Sequence, residues 1–198
     1  MSFISYAQNH EDVILWRALK HVQNGFYIDV GANHPSDDSV TRAFYERGWS
    51  GINIEPLSLH MAQLKADRPR DINLQFAVGV EDGEIELFDT SVRGLATASS
   101  EVAKLHLSAG LSVSSSKVAL RRLDGIFSEF APDDVHFLKI DVEGFERSVL
   151  EGMDFVRFRP WVVVVEATIP NSQEINADWE PMLLAADYRC VFFDGLNR

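Results

Sequence analysis

The stretch "GFYIDVGANHPSDDS", Gly25 to Ser39, decides how the chain is read. A short apolar strand runs into a glycine turn, and a helix is expected to start soon after. That order places a nucleotide-like ligand at the end of a strand. Only one glycine follows the strand, because "GANHPS" keeps the first glycine of the dinucleotide fingerprint and lacks the others. His34, Pro35, Asp37 and Asp38 fill the turn instead. Carboxylates near a helix start satisfy its free N–H groups and oppose its dipole. They would repel a pyrophosphate, so a ligand with a cationic centre suits this turn better.

Working outward, strand-like and helix-like segments alternate. A helix is expected from Asn9 as its cap through Val22, and another from Asp37 to Arg47, closed by Gly48. Further helices are expected over Ser58–Ala66, Gly144–Met153 and Ala177–Ala186. Strands are expected over Phe26–Val30, Gly51–Ile54, Ile72–Val78, His136–Ile140, Trp161–Val165 and Arg189–Phe193. "EDGEIELFD" adds a turn and a strand, and Val118–Phe130 a strand and a short helix. Near-continuous apolar strands separated by helices describe an α/β chain with a mostly parallel, doubly wound sheet. Residues 91–117 are rich in Ser, Ala and Gly and are expected to form a flexible lid or substrate loop.

The strand ends carry the chemistry. Asp29 and Gly31, then Glu55, then Ala77 and Val78, then Asp141 and Glu143, then Glu166 all follow strand-like runs. In an open parallel sheet these ends share one edge, where ligands bind. Glu55 ends the second strand roughly 20 residues after the glycine turn, the place of an acid that accepts from ribose hydroxyls. The backbone at Ala77 and Val78 is expected to meet an adenine. A ribose acid, a phosphate-hostile turn and further carboxylates together point to S-adenosylmethionine. Lys139 lies on the same strand face as Asp141 in an apolar run, so it needs a carboxylate partner.

Composition excludes some classes. The chain has 198 residues, 46% hydrophobic content and a formal net charge of −12. That charge argues against general nucleic-acid binding, which needs a basic face. Cys190 is the sole cysteine, so no internal disulfide forms, and its apolar run suggests a core position. No apolar run reaches membrane-spanning length, no signal peptide is recognised, and a cytoplasmic location is expected.

The chain resembles the FkbM-type S-adenosylmethionine-dependent methyltransferases over nearly its whole length. The likeness rests on "SYAQNHEDVIL", "FYIDVGANHP", "SVTRAFYERGWSGINIEP", "GLAT" at Gly94–Thr97, "LRRLDGIF", "HFLKIDVEGFERSVLEGM" and "VVVVEA". "IDVGAN" together with "LKIDVEG" makes it specific. The resemblance implies a Rossmann-like class I methyltransferase fold in one domain, residues 1–198, whose last strand is antiparallel. The chain ends at "FFDGLNR" without that strand, as if cut from a longer protein. It also implies methyl transfer to a hydroxyl of a sugar, a surface glycan or a related natural product. The "SYAQN" form is similar to members of surface-polysaccharide synthesis that are fused to or associated with a glycosyltransferase.

Within that resemblance Asp29, Gly31 and Asn33 shape the cofactor turn, Glu55 holds the ribose, and Asp141 lies beside the methionine end or the reacting centre. His34 is the first candidate for the base, because a neutral imidazole accepts a proton near pH 7. Asp141, Glu143 and Glu166 are the alternatives, either as bases or as ligands of a divalent cation. The metal-free route is preferred at this stage, because cofactor and lysine contacts also account for these acids. Two other readings share the sheet: an NAD-dependent oxidoreductase, which would need the missing glycines, and a non-catalytic partner module, which would not need the acids.

Overall fold

The computed structural model describes residues 3–170, 172 and 174–198. In chain order the elements are α1 (Glu11–Leu19), β1 (Phe26–Val30), α2 (Arg42–Tyr45), β2 (Ser50–Ile54), α3 (Ser58–Asp67), β3 (Ile72–Leu74), β4 (Ala77–Gly79) and β5 (Gly83–Thr90). Then come α4 (Ser100–Ser108), β6 (Val113–Arg122), α5 (Leu123–Phe130), β7 (Phe137–Ile140), α6 (Glu146–Glu151), β8 (Val162–Val165) and α7 (Glu180–Ala185).

A five-stranded sheet runs β3-β2-β1-β7-β8, with every neighbouring pair parallel. The chain winds outward from β1 through β2 to β3, then returns to β1's other side with β7 and moves on to β8. Strand order therefore reverses between β1 and β7, and the expected ligand crevice lies beyond the ends of those two strands. The period-two alternation of side chains feeds two cores. Ile28, Val30, Ile52, Ile54, Leu138 and Ile140 point to one face, against Leu123, Ile126, Val149 and Leu150. Tyr27 and Phe137 point to the other, against Leu15, Leu19, Phe44 and Trp49. Both faces being covered is why these strands read as continuous apolar runs.

Several expectations need correction. The third strand, expected over Ile72–Val78, is broken at Gln75–Phe76. β3 stays in the main sheet, where Leu74 accepts the Glu55 N–H. β4 joins a second sheet of order β4-β6-β5, pairing parallel with β6 while β5 pairs antiparallel. The helix expected from Asp37 shrinks to α2, because Asn33 and Asp38 take left-handed backbone (φ 49° and 59°) that a helix cannot accommodate. Asn9 does not cap α1: His10 holds that position, also left-handed, with no side-chain cap.

Residues 91–117 are more ordered than a flexible loop. Ser99 Oγ caps α4 by accepting the Val102 N–H at 3.3 Å, and β6 begins at Val113. Irregular backbone in this stretch is confined to residues 91–99 and the short link 109–112. Residues 189–193 form no strand, and Cys190 is exposed rather than in the core. Beyond them Asp194 Oδ1 accepts the N–H groups of Leu196 and Asn197, turning the chain back. Asn197 then bridges Glu166 in antiparallel sense, and Val165 and Arg198 exchange both backbone bonds.

The sheet is intolerant at Gly51, which sits opposite Tyr27 on β1. A Cβ there would lie 2.2 Å from the Tyr27 ring and 2.5 Å from its carbonyl oxygen. The ring can turn but the carbonyl cannot. Gly51→Ala is expected to destabilise the protein by about 1–3 kcal/mol, read as a lowered urea midpoint; an unchanged midpoint would mean that the β1–β2 register is wrong.

Candidate active site

The turn after β1 is forced against the end of β7. Gly31 takes φ +78°, and a Cβ on it would stand 1.9 Å from the Asp141 carbonyl oxygen. Its N–H and that of Ala32 both bond the Ile54 carbonyl. The chain then curls so that the Asn33 N–H reaches Glu55 Oε2 at 2.9 Å. The Leu57 N–H reaches the other oxygen, Oε1, at 2.8 Å. Glu55 is thus fixed by one backbone bond on each oxygen, is 5% exposed, and lines the cleft. Burial raises its pKa, and those backbone bonds oppose the rise. Each oxygen keeps a second acceptor direction for a hydroxyl.

Beside Glu55 lies a cleft of about 950 Å³ along the strand ends. Gly31, Asn33, Glu55, Ala77, Val78, Asp141 and Glu166, of the predicted residues, all line it. Phe76 and Leu87 form an apolar part of its wall. Asp29 lies below the cleft rather than on its surface. Its Oδ2 accepts the Thr41 hydroxyl at 2.9 Å, and its Oδ1 lies 3.5 Å from Lys139 Nζ. Lys139, almost fully buried, also meets Asp141 Oδ2 at 3.2 Å and donates to the Gly31 carbonyl at 3.2 Å. Asp29 and Lys139 are register partners on β1 and β7, so the pairing follows from the strand alignment. Burial alone would lower the lysine pKa, but Asp141 and then Asp29 hold it well above its usual value. The partner expected for this lysine is therefore two carboxylates.

His34 does not join these residues. It is not among the side chains that line the cleft. Its Nδ1 accepts the N–H groups of Ser36 and Asp37, at 3.3 and 2.9 Å. The Nδ1 lone pair is thus engaged by the turn, and the ring acts as a turn cap. Asp37 and Asp38 are not helix caps either. They pair with Arg93 of the lid at 3.1 and 2.7 Å.

Arg93 was not singled out from sequence; a lone cation in a small-residue loop facing two adjacent acids was the available signal. Glu11 was also overlooked as a site residue. It is buried in the cleft wall, accepting from Asn9 N–H at 2.9 Å and from Asn197 Nδ2 at 2.8 Å. The lid is pinned at its far end as well. Thr97 exchanges backbone bonds with Phe88, and its hydroxyl donates to the Glu143 carbonyl at 2.7 Å.

At the ends of β7 and β8, Asp141, Glu143 and Glu166 bring one carboxylate oxygen each to within 4.8 Å of one another. Burial, then the neighbouring Asp141 carboxylate, pushes Glu143 up to about 9 and Glu166 up to about 10. Glu146, which accepts the Val142 and Gly144 N–H groups, is pushed up to about 7, chiefly by burial. A crevice so rich in carboxyl groups, whose cations Lys139 and Arg93 are already paired, favours a cationic ligand and disfavours a phosphate.

Comparison with known proteins follows this geometry. The family model described as "Methyltransferase FkbM domain" matches residues 29–190. The chain is similar to the crystal structure of Methyltransferase FkbM from Methylobacillus flagellatus KT, at 17% identity and a TM-score of 0.45. That alignment covers 73% of this chain and 33% of the other, so this chain spans about a third of that structure's length. No curated protein matches the chain.

The raised acids set the pH response of the ligand-free protein. In the unfolded chain these groups lose their protons near the ordinary glutamate value of about 4.3. The folded protein holds them until about 7, 9 and 10. Their stabilisation is complete below the unfolded value and is lost as pH rises through the folded values. Stability measured by denaturant should therefore fall between pH 5 and pH 9, and Glu166→Gln should flatten the fall and stabilise the protein at pH 8 by about 1–3 kcal/mol. A flat wild-type profile would contradict the burial of these acids.

Proposed function

The chain belongs to the FkbM methyltransferase domain family, and we propose that its cleft binds S-adenosylmethionine and passes the methyl group to a hydroxyl of a sugar, a surface glycan or a related natural product. The observation that carries this reading is Glu55: a buried carboxylate at the end of β2, fixed by two backbone bonds and facing a cleft of about 950 Å³, roomy enough for a nucleoside and an acceptor. It would accept from the two ribose hydroxyls. Ala77 and Val78, with Phe76 nearby, would border the adenine. The turn at Gly31 and Asn33 would receive the methionine part, next to Asp141.

The sulfonium loses its charge during transfer, so the protein's main tasks are to align donor and acceptor and to limit water. The lid over residues 91–99 suits the second task. Asp141, Glu143 and Glu166 are the carboxyl groups near the expected acceptor oxygen, and the catalytic assignments proposed here are Asp141 and Glu166. His34 is not used. Work on glycan precursors in the cytoplasm, alongside a glycosyltransferase, is the setting that fits this reading; among the described residues no helix is long and apolar enough to cross a membrane.

Calorimetry tests the cofactor. S-adenosylmethionine or its demethylated product should bind, and NAD should not bind at comparable strength. Glu55→Gln keeps the shape but weakens charge-assisted acceptance, a loss of about 1.5–3 kcal/mol. The dissociation constant should rise at least about tenfold. NAD binding as well as S-adenosylmethionine, or an unchanged constant in the variant, would defeat the reading.

A further inference from the structure

We propose that Asp141, Glu143 and Glu166 form a binding site for a hard divalent cation of the magnesium, manganese or calcium class. The oxygens that these three residues offer lie within 4.8 Å of one another. Oxygens bound to one calcium-sized ion, at about 2.3–2.6 Å each, lie at most about 5 Å apart. The spacing suits a calcium-sized ion as it stands and a magnesium-sized ion, with bonds of about 2.0–2.1 Å, after a small contraction, and an all-carboxylate donor set selects hard cations over soft ones.

A second observation is independent of the clustering. Glu166 is 5% exposed and lines the cleft, and among the described residues its buried Oε2 has no hydrogen-bond partner. Buried carboxylate oxygens are almost always satisfied, so such an oxygen at a cleft wall points to something it binds. Protein contacts do not supply it: Thr168 Oγ1 reaches only the other oxygen, Oε1, at 3.5 Å.

Charge points the same way. Four carboxyl groups, Asp29, Asp141, Glu143 and Glu166, meet one ammonium, that of Lys139. Lys139 serves Asp29 and Asp141 on its own side, and among the described residues no cation pairs with the β8 side of the cluster. A divalent ion would balance the remainder, and the carboxyl groups would give up their protons as it binds.

The use of the ion rests on the methyl-transfer reading above; its binding does not. When bound, it would hold the acceptor hydroxyl and make that hydroxyl more acidic. The hydroxyl proton leaves to water. The oxygen forms a bond to the methyl carbon, and the carbon–sulfur bond breaks with its electron pair staying on sulfur.

The test uses the full chain stripped with chelator, without any nucleoside ligand, at about 0.15 M ionic strength to suppress diffuse attraction. Manganese is titrated in and followed by the loss of the free-ion paramagnetic resonance signal. One ion per chain should bind with a dissociation constant of about 10⁻³ M or tighter. Glu166→Gln and Glu143→Gln, each checked for folding by circular dichroism, should weaken binding at least tenfold, and magnesium or calcium should compete. No saturable binding, or binding unchanged in both variants, would overturn the site. Because S-adenosylmethionine is absent, failure here leaves the cofactor reading standing, and failure of the cofactor reading leaves the ion titration unaffected.

Discussion

One buried ammonium organises the molecule. Lys139 stands at the point where strand order reverses, with Asp29 on β1, Asp141 just past β7 and the Gly31 carbonyl all within about hydrogen-bond or ion-pair reach. Without it, the buried Asp29 carboxylate would have no cation and would face that of Asp141 at the cleft floor. Breaking a buried pair by removing one partner costs about 3–5 kcal/mol, so the cation and the acids hold one another in place. The same contacts set the glycine turn against β7 and so fix where the cleft opens. Glu143 and Glu166 lie just outside this pairing, and burial, then the Asp141 carboxylate, makes them hold their protons.

A second buried cation supports the irregular loop between β1 and α2. Arg68, at the end of α3, is fully buried and donates to the Pro35 carbonyl, the Ser39 hydroxyl at 3.0 Å and the Tyr27 hydroxyl at 3.2 Å. Asp71 lies 3.6 Å away and also accepts from Tyr27, Asn53 and the Gly51 N–H. A loop of this kind can be buried only if its polar groups find partners, and this network provides them. It also explains why a stretch with helix-like composition stays irregular: Pro35 and Ser39 are held by α3 in positions that a helix would not allow.

Local patterning made the parallel sheet legible. β1, β2, β7 and β8 appear as apolar runs because both sheet faces are covered, and Glu55 and Lys139 stand out at or near their ends. What patterning missed depends on distant partners. The break between β3 and β4 is not marked by any glycine or proline in "INLQFAV", and what separates the halves is the neighbour each one pairs with. Cys190 sits in a run that looks buried, but the run forms no strand in which to bury it. His34 has the right chemistry for a base, yet its ring is committed to the N–H groups two and three residues on, which composition cannot show. Arg93 finds Asp37 and Asp38 across a gap of more than fifty residues, as its spacing shows. The stretch after residues 91–99 carries too little apolar signal for α4, which is set by a serine cap and a narrow buried stripe at Val102, Ala103 and His106.

The clasp between Arg93 and the acids of the β1 turn has a kinetic side. Its pairs are partly exposed at the mouth of the cleft, whereas the Lys139 pairs lie deep beneath it. Exposed charges feel dissolved salt and buried ones scarcely do. The molecule thus separates an outer clasp that ionic conditions can loosen from an inner charge arrangement they leave intact. On the proposed reading, the residence time of a guest would be governed at the rim and its orientation at the floor.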